Sequence, residues 1–143
     1  MKTLYTAHAH NSGGRDGRAR AADGYPDLLV KPPPELGGPA DTEATNPEEL
    51  FALGYGACFL SALQFAARSQ KISAKEFTID SAVDFVQDDK GGFGIAVELH
   101  ATLPGIEDDQ AAELLHLAHK GCPYSKATRG NIEVRLYAGD RQV

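Results

Sequence analysis

Cysteine is scarce in this chain: only Cys58 and Cys122 occur among its 143 residues. Two cysteines are too few for the disulfide framework of a small secreted protein, so we expect buried hydrophobic residues or a redox or metal-binding pair. The sequence also lacks an N-terminal apolar run behind a basic start, which predicts that there is no signal peptide. No segment favours a membrane span. We therefore expect a cytoplasmic protein with no membrane partner.

Basic residues are also few. The chain has 14 Lys and Arg against 20 Asp and Glu, which gives a net charge of −6. Phosphate contacts need clustered Lys and Arg, so nucleic acid is not an expected partner. A composition that is 42% hydrophobic and 24% charged is ordinary for a globular protein of this length. It predicts a single domain that covers residues 1–143.

Residues 45–67, TNPEELFALGYGACFLSALQFAA, predict a long helix around Cys58. Asn46 is the expected N-cap, Pro47 suits the first turn, and the two glutamates that follow favour the positive end of the helix dipole. Few polar side chains interrupt the rest, as in a helix enclosed by other elements. We expect the segment to be too short, and too polar at its ends, to cross a membrane. Because a chain this short cannot enclose such a helix fully, we predict a homodimer that buries the remaining apolar surface.

The remaining segments predict strands and a second helix from their apolar periodicity. The expected strands are residues 2–10, 15–22, 27–31, 76–87, 93–103 and 131–138, and the second helix is residues 108–120. In the two longest strands, alternate residues from Phe77 to Phe85 and from Phe93 to Ala101 each share a face. Prolines and glycines make residues 32–45 a loop. This order of elements predicts an α+β fold in which the long helix covers the strands.

Cys58 can take part in chemistry only if its thiolate is stabilised, because a thiol inside a helix is normally inert. An ordinary cysteine titrates near 8.5, and a pKa lowered by two units raises the ionised fraction at pH 7 from about 3% to roughly three quarters. Arg15, flanked by glycines in the segment GRDGR, is the candidate cation. A buried Arg15 would need a carboxylate, and Glu48 is the candidate to hold it.

Helix geometry raises a difficulty for this arrangement. Glu48 and Cys58 are ten positions apart, which corresponds to about 15 Å along one straight helix. Gly54 and Gly56 weaken the helix between them, so we expect that a kink or break there brings the start of the helix back toward the thiol.

Cys122 follows Gly121 at the end of the second predicted helix and precedes Pro123, a constrained loop in which a second thiol can reach a first. A sulfenic acid formed on one cysteine by a peroxide condenses with a neighbouring thiol to give a disulfide before over-oxidation. This two-cysteine peroxidase chemistry needs no metal, haem or flavin cofactor.

Other functions stay open from the residues alone. A zinc site would use His116, His119 and Cys122, spaced three apart, with Cys58 as a fourth ligand. Histidines in the last turn of a helix are explained more simply by the helix dipole. A thiol protease has less support, because no His and Asn are marked as partners of Cys58. A further alternative is a non-catalytic protein that undergoes redox changes or binds hydrophobic ligands. It would use the pocket beside Cys58.

Four segments together resemble the organic hydroperoxide resistance proteins of the Ohr/OsmC superfamily. They are GGRDGRA at residues 13–19, PPELGGP at 33–39, TNPEELFALGYGACF at 45–59 and GCPYSKATRGNIEVRL at 121–136. The resemblance covers nearly the whole chain in the family's order and spacing. The GRDGR and CPYSKATRG segments favour the Ohr branch over the OsmC branch. Glu49 and Leu53 depart from the glutamine and alanine that are common in the family.

The resemblance implies an OsmC-like fold, with antiparallel sheets wrapped around long central helices in an entwined homodimer whose active site lies at the subunit interface. It also implies thiol-dependent reduction of organic hydroperoxides, with a dihydrolipoyl-bearing protein or another dithiol as the reductant. By motif, Cys58 would be the peroxidatic cysteine and Cys122 the resolving one. Arg15 would activate the thiolate and orient the peroxide, and Glu48 would hold Arg15.

The substrate pocket is expected to be apolar. Pro33 and Leu36 in the loop, together with Phe51 and Tyr55 on the helix, are its expected lining residues. Such a pocket favours bulky alkyl, aryl or lipid hydroperoxides over hydrogen peroxide.

Overall fold

A computed structural model of the chain describes residues 1–40 and 43–143. It contains two compact units, Met1–Leu50 and Phe51–Val143. The single domain expected from the composition stays a prediction. Two positions of the predicted loop over residues 32–45, Asp41 and Thr42, lie outside the described residues.

The first unit contains a three-stranded antiparallel sheet. Its strands β1 (Ala9–Ser12), β2 (Gly17–Ala21) and β3 (Asp27–Val30) pair in sequence order. The second and third strands agree with the predicted ones. The first begins seven residues later than residue 2, where pairing with β2 starts with Ala9 opposite Ala21. A short 3-10 helix, Pro34–Leu36, lies within the predicted loop.

The long helix α1 (Pro47–Ser69) begins where the sequence predicts. The side-chain oxygen of Asn46 accepts a hydrogen bond from the backbone N–H of Glu49 at 2.8 Å, which is the geometry of an N-cap. The helix continues through Gly54 and Gly56, so the expected break between them is wrong. Packing explains Gly56 instead. A Cβ atom there would lie 2.5 Å from the Ser81 hydroxyl oxygen, so any larger residue requires the Ser81 side chain to move.

By length and composition alone, α1 is long and apolar enough to cross a membrane, with 23 residues and a mean hydropathy of 1.6. The expectation that it is too short is therefore wrong. The core helix of a globular protein can be equally long and apolar, and one side of α1 does lie in the core. Only 28% of its apolar stretch is buried. Leu53 and Phe65 are 64% and 71% exposed, so the chain leaves much of this helix uncovered.

The second unit contains the long hairpin and the C-terminal elements. These are β4 (Thr78–Gln87), β5 (Phe93–Thr102), α2 (Asp108–Gly121), α3 (Pro123–Thr128), β6 (Val134–Ala138) and β7 (Arg141–Gln142). The strand order is β4-β5-β6-β7. β5 and β6 run parallel, so this sheet is mixed rather than antiparallel as expected. The physical reason is the connection, because parallel neighbours need a crossover and α2 and α3 supply it.

The core of the second unit lies between this sheet and one side of α1 and α2. The register of β4 against β5 confirms the predicted strand faces, since Ile79 pairs with Ala101 and Val83 pairs with Val97. The largest fully buried side chains come from α1, β5, α2 and the start of α3: Tyr55, Phe59, Leu63, Val97, Leu99, Leu114, Leu115, Cys122 and Ser125. This core fixes α1 against the segment that carries Cys122.

Candidate active site

The two cysteines lie side by side. The Cys122 thiol donates a hydrogen bond to the Cys58 sulfur, with 3.5 Å between the two Sγ atoms. Both are reduced; Cys122 is buried and Cys58 is half-buried. Cys122 occupies the junction at which α2 ends and α3 begins, with an extended backbone. A disulfide bond is about 2.05 Å long, so the two sulfurs must approach further to form one.

Cys58 is not activated by its immediate surroundings. Burial raises the pKa of its thiol, while hydrogen bonding to the backbone of Tyr124 lowers it and the Cys122 thiol raises it. A buried thiol is a poor nucleophile because its ionised fraction is small. A reactive Cys58 therefore needs a positive charge that its own helix does not supply.

An apolar cavity of about 640 Å³ opens beside Cys58. Small and apolar residues of α1, and residues at the end of α2, form its wall: Ser61, Ala62, Phe65, Ala66, Ser69, Leu117, Lys120, Gly121 and Pro123. Sequence reasoning did not select these residues. Helical spacing from Cys58 was the available signal, because positions 61, 62, 65, 66 and 69 share its side of a helix.

The four expected pocket residues have different surroundings. Tyr55 is fully buried, and Phe51 packs edge-on against its ring with 5.9 Å between the ring centroids. In the part of the chain that the structure describes, neither ring lines the cavity beside Cys58. Pro33 lines a separate cleft of about 220 Å³ in the first unit. Leu36 ends the short 3-10 helix and is 47% exposed.

Arg15 and Glu48 are brought together in the first unit. The Arg15 guanidinium donates two hydrogen bonds to the Glu48 carboxylate, at 2.9 and 2.7 Å. Arg15 lies in the turn between β1 and β2, which Lys31 also contacts through an ion pair with Asp16. The hydrogen bonds from Arg15 lower the pKa of Glu48. A bidentate pair of this kind fixes the orientation of the guanidinium.

The proposed zinc ligands do not assemble. Among residues 1–40 and 43–143, no three His, Cys, Asp or Glu side chains lie close enough together to hold a metal ion.

Fold and site together define an α+β protein with a pair of adjacent thiols beside an apolar cavity. The family model for OsmC-like proteins matches residues 38–137, and the chain belongs to that family. Within it, the chain belongs to the organic hydroperoxide resistance, or Ohr, proteins. It is 49% identical over 136 residues to the organic hydroperoxide resistance protein of Xanthomonas axonopodis pv. citri, covering 94% of each chain.

Solved structures of Ohr proteins share this fold. The crystal structure of an organic hydroperoxide resistance protein from Elizabethkingia anophelis matches with a TM-score of 0.89 and 48% identity, over 99% of this chain and 100% of that one. That of OhrB from Bacillus subtilis matches with a TM-score of 0.87 and 40% identity, over 94% of this chain and 98% of that one. The OsmC-like fold and the Ohr branch expected from the motifs are thereby confirmed.

Proposed function

We propose that this protein is a thiol peroxidase that reduces organic hydroperoxides to alcohols and so protects the cell from oxidative stress. The observation that carries the proposal is the 3.5 Å contact between the Cys58 and Cys122 sulfurs, next to an apolar cavity. Relatives at up to 49% identity are named for organic hydroperoxide resistance. We assign the reaction to the cytoplasm, where thiols are kept reduced.

The reaction has three steps. The Cys58 thiolate attacks the distal oxygen of the hydroperoxide, the O–O bond breaks, and the alcohol leaves after it takes up a proton. Cys58 is then a sulfenic acid. The Cys122 sulfur attacks the Cys58 sulfur, the S–S bond forms, and the S–O bond breaks to release water. An external dithiol, which we propose is a dihydrolipoyl group on a partner protein, reduces the disulfide by thiol–disulfide exchange.

The cavity sets the substrate preference. Its wall beside Cys58 consists mostly of apolar groups, including Phe65, Ala66 and Leu117. Water bound there is displaced most favourably by an apolar substituent. Alkyl, aryl and lipid hydroperoxides are therefore the proposed substrates, in preference to hydrogen peroxide.

Activation of Cys58 is proposed to require a second copy of the chain. Glu48 holds the Arg15 guanidinium, and a continuous helix separates Glu48 from Cys58 by about 15 Å. In a homodimer that covers the exposed Leu53 of α1, one copy can supply Arg15 and Glu48 to Cys58 of the other.

Stopped-flow reduction of cumene hydroperoxide tests the proposal. The wild-type protein is expected to turn over with a dihydrolipoyl reductant, Cys58→Ser to lose the reaction, and Cys122→Ser to react once and then over-oxidise. A Cys58→Ser variant that keeps the wild-type rate would show that the assignment is wrong. Stoichiometric disulfide formation without turnover, with any dithiol, would favour a non-catalytic redox protein instead.

A further inference from the structure

A buried hydrogen-bonded cluster joins α1 to α3. The Tyr55 hydroxyl shares hydrogen bonds with the Ser125 hydroxyl at 2.9 Å and with the Thr128 hydroxyl at 3.2 Å. Thr128 also donates to the Ser125 carbonyl oxygen at 3.2 Å. Tyr55 and Ser125 are completely buried, and Thr128 is 6% exposed. Buried hydroxyls that are satisfied by each other hold their helices in one arrangement.

Each end of this cluster lies three residues from a cysteine. Tyr55 precedes Cys58 by three residues on α1, and Ser125 follows Cys122 by three residues. Residues three apart on one helix lie on the same side, as Tyr55 and Cys58 do on α1. Cys122 is the N-cap of α3, and its carbonyl oxygen accepts a hydrogen bond from the Lys126 N–H. The Tyr55–Ser125 hydrogen bond and the contact between the two sulfurs therefore connect the same two segments, α1 and the segment that begins at Cys122. The two contacts are three residues apart on each segment.

We propose that Tyr55 is a positioning residue for the disulfide step, an inference that rests on the proposed function. The two Sγ atoms must close from 3.5 Å to about 2.05 Å. The backbone of Cys122 is continuous with α3, and Tyr55 anchors α3 through Ser125 and Thr128. During the lifetime of the Cys58 sulfenic acid, the anchor keeps the Cys122 sulfur within reach of the Cys58 sulfur. The S–S bond therefore forms and water leaves before a second peroxide molecule attacks Cys58.

The Tyr55 hydroxyl can be separated from the packing of its ring. The ring packs against Phe51, Phe59 and Tyr124, with centroids 5.9, 6.5 and 5.7 Å away. These contacts involve the faces and edges of the rings, which phenylalanine retains. Tyr55→Phe therefore removes the anchor and keeps the aromatic cluster.

The experiment follows two rates in the full-length protein. Reduced wild type, Tyr55→Phe and Ser125→Ala are mixed with cumene hydroperoxide, and sulfenic acid formation and disulfide formation are timed separately by quenching and mass spectrometry. We expect the first rate to stay within about twofold. The second is expected to fall about tenfold, the effect of one buried hydrogen bond, with more sulfinic acid on Cys58. Tyr137→Phe, which removes a hydroxyl in the sheet beside His100, is the matched control and should change neither rate.

The combined variant shows whether Tyr55 acts through Ser125. Tyr55→Phe with Ser125→Ala should be no slower in disulfide formation than the slower single variant; multiplied effects would overturn the assignment. An unchanged disulfide rate in folded Tyr55→Phe would overturn it too, as would equal slowing of both steps. If Tyr55→Phe does not fold, Ser125→Ala carries the same test. Diamide, used as the oxidant instead of the hydroperoxide, forms the disulfide without any peroxidase reaction. Slower disulfide formation in Tyr55→Phe with diamide would therefore support this inference even if the peroxidase proposal failed.

Discussion

The Arg15 guanidinium is bonded through two of its nitrogens to both oxygens of the Glu48 carboxylate, at 2.9 and 2.7 Å. Glu48 is only 12% exposed, while Arg15 keeps 45% of its side chain accessible. The carboxylate thus orients the guanidinium of Arg15.

We predict that Arg15→Met slows the reaction of Cys58 with an organic hydroperoxide at least about tenfold, because the thiolate loses its stabilising charge. The pH profile of Cys58 alkylation should move to higher pH in the same variant, since burial raises the pKa of this thiol. Stopped-flow kinetics and iodoacetamide labelling measure the two effects.

Arg18→Met is the matched control for Arg15→Met. Arg18 lies three residues further along the same segment and donates to Asp27 at 2.7 Å, with 56% of its side chain exposed. Its replacement removes the same charge and a similar ion pair, and should leave both the rate and the alkylation profile unchanged. Equal effects of the two substitutions would point to a general loss of positive charge and contradict a specific role for Arg15.

Subunit mixing tests whether the active site is shared between two copies. Arg15→Met and Cys58→Ser should each be nearly inactive alone. If Arg15 acts across the interface, a mixed dimer has one site with both Cys58 and Arg15, and an equal mixture should recover about a quarter of the wild-type activity after subunit exchange. Recovery is measured as turnover of cumene hydroperoxide. A mixture that stays inactive although mass spectrometry detects mixed dimers would show that the two residues act within one chain.

Sequence rules predicted those parts of the fold that depend on local chemistry. Asn46 caps α1 because its side chain accepts a bond from a backbone N–H only three residues away. The faces of β4 and β5 that point toward the core were predicted from apolar residues at every second position. The helix α3 was missed because six residues are too few to show a periodic pattern. The parallel direction of β6 was missed because the crossover, rather than the strand's own residues, determines it.

The site was predicted in part for the same reasons. The two cysteines and the Arg15–Glu48 pair could be selected because each has a chemical reason to find a partner. The break at Gly54 and Gly56 was wrong because helix propensity was weighed without the neighbours of the helix, and Gly56 faces Ser81 at close range. Tyr55 was expected in the pocket, but its hydroxyl has buried partners on α3.

We predict that Gly56→Ala destabilises the protein by about 1–3 kcal/mol, the usual cost of overpacking a tight contact. The added Cβ atom would lie 2.5 Å from the Ser81 hydroxyl oxygen but 3.7 Å from the Ser81 Cβ atom. Ser81→Ala should therefore restore most of the loss when it is combined with Gly56→Ala. Urea unfolding of the single and combined variants measures the coupling. Additive free energies would show that another contact causes the loss.

His119 is predicted to make the protein less stable in mild acid. Its Nδ1 atom is buried and has no hydrogen-bond partner among the described residues. Burial lowers the pKa of His119 from its ordinary value of 6.5, and the charges of Arg129 and His116 lower it further. The unfolded chain therefore binds this proton more readily than the folded one. The free energy of unfolding should decrease as the pH falls from about 7 through 6.5 toward the folded pKa.

His119→Gln should flatten this pH dependence, because glutamine does not titrate in that range. Urea unfolding between pH 7 and pH 5 compares the variant with wild type and with His8→Gln, whose histidine is exposed near the N-terminus. Wild type and His8→Gln should lose stability in parallel, whereas His119→Gln should lose less. Three parallel curves would mean that another group binds the proton on unfolding, and that the buried Nδ1 atom of His119 does not limit stability in acid.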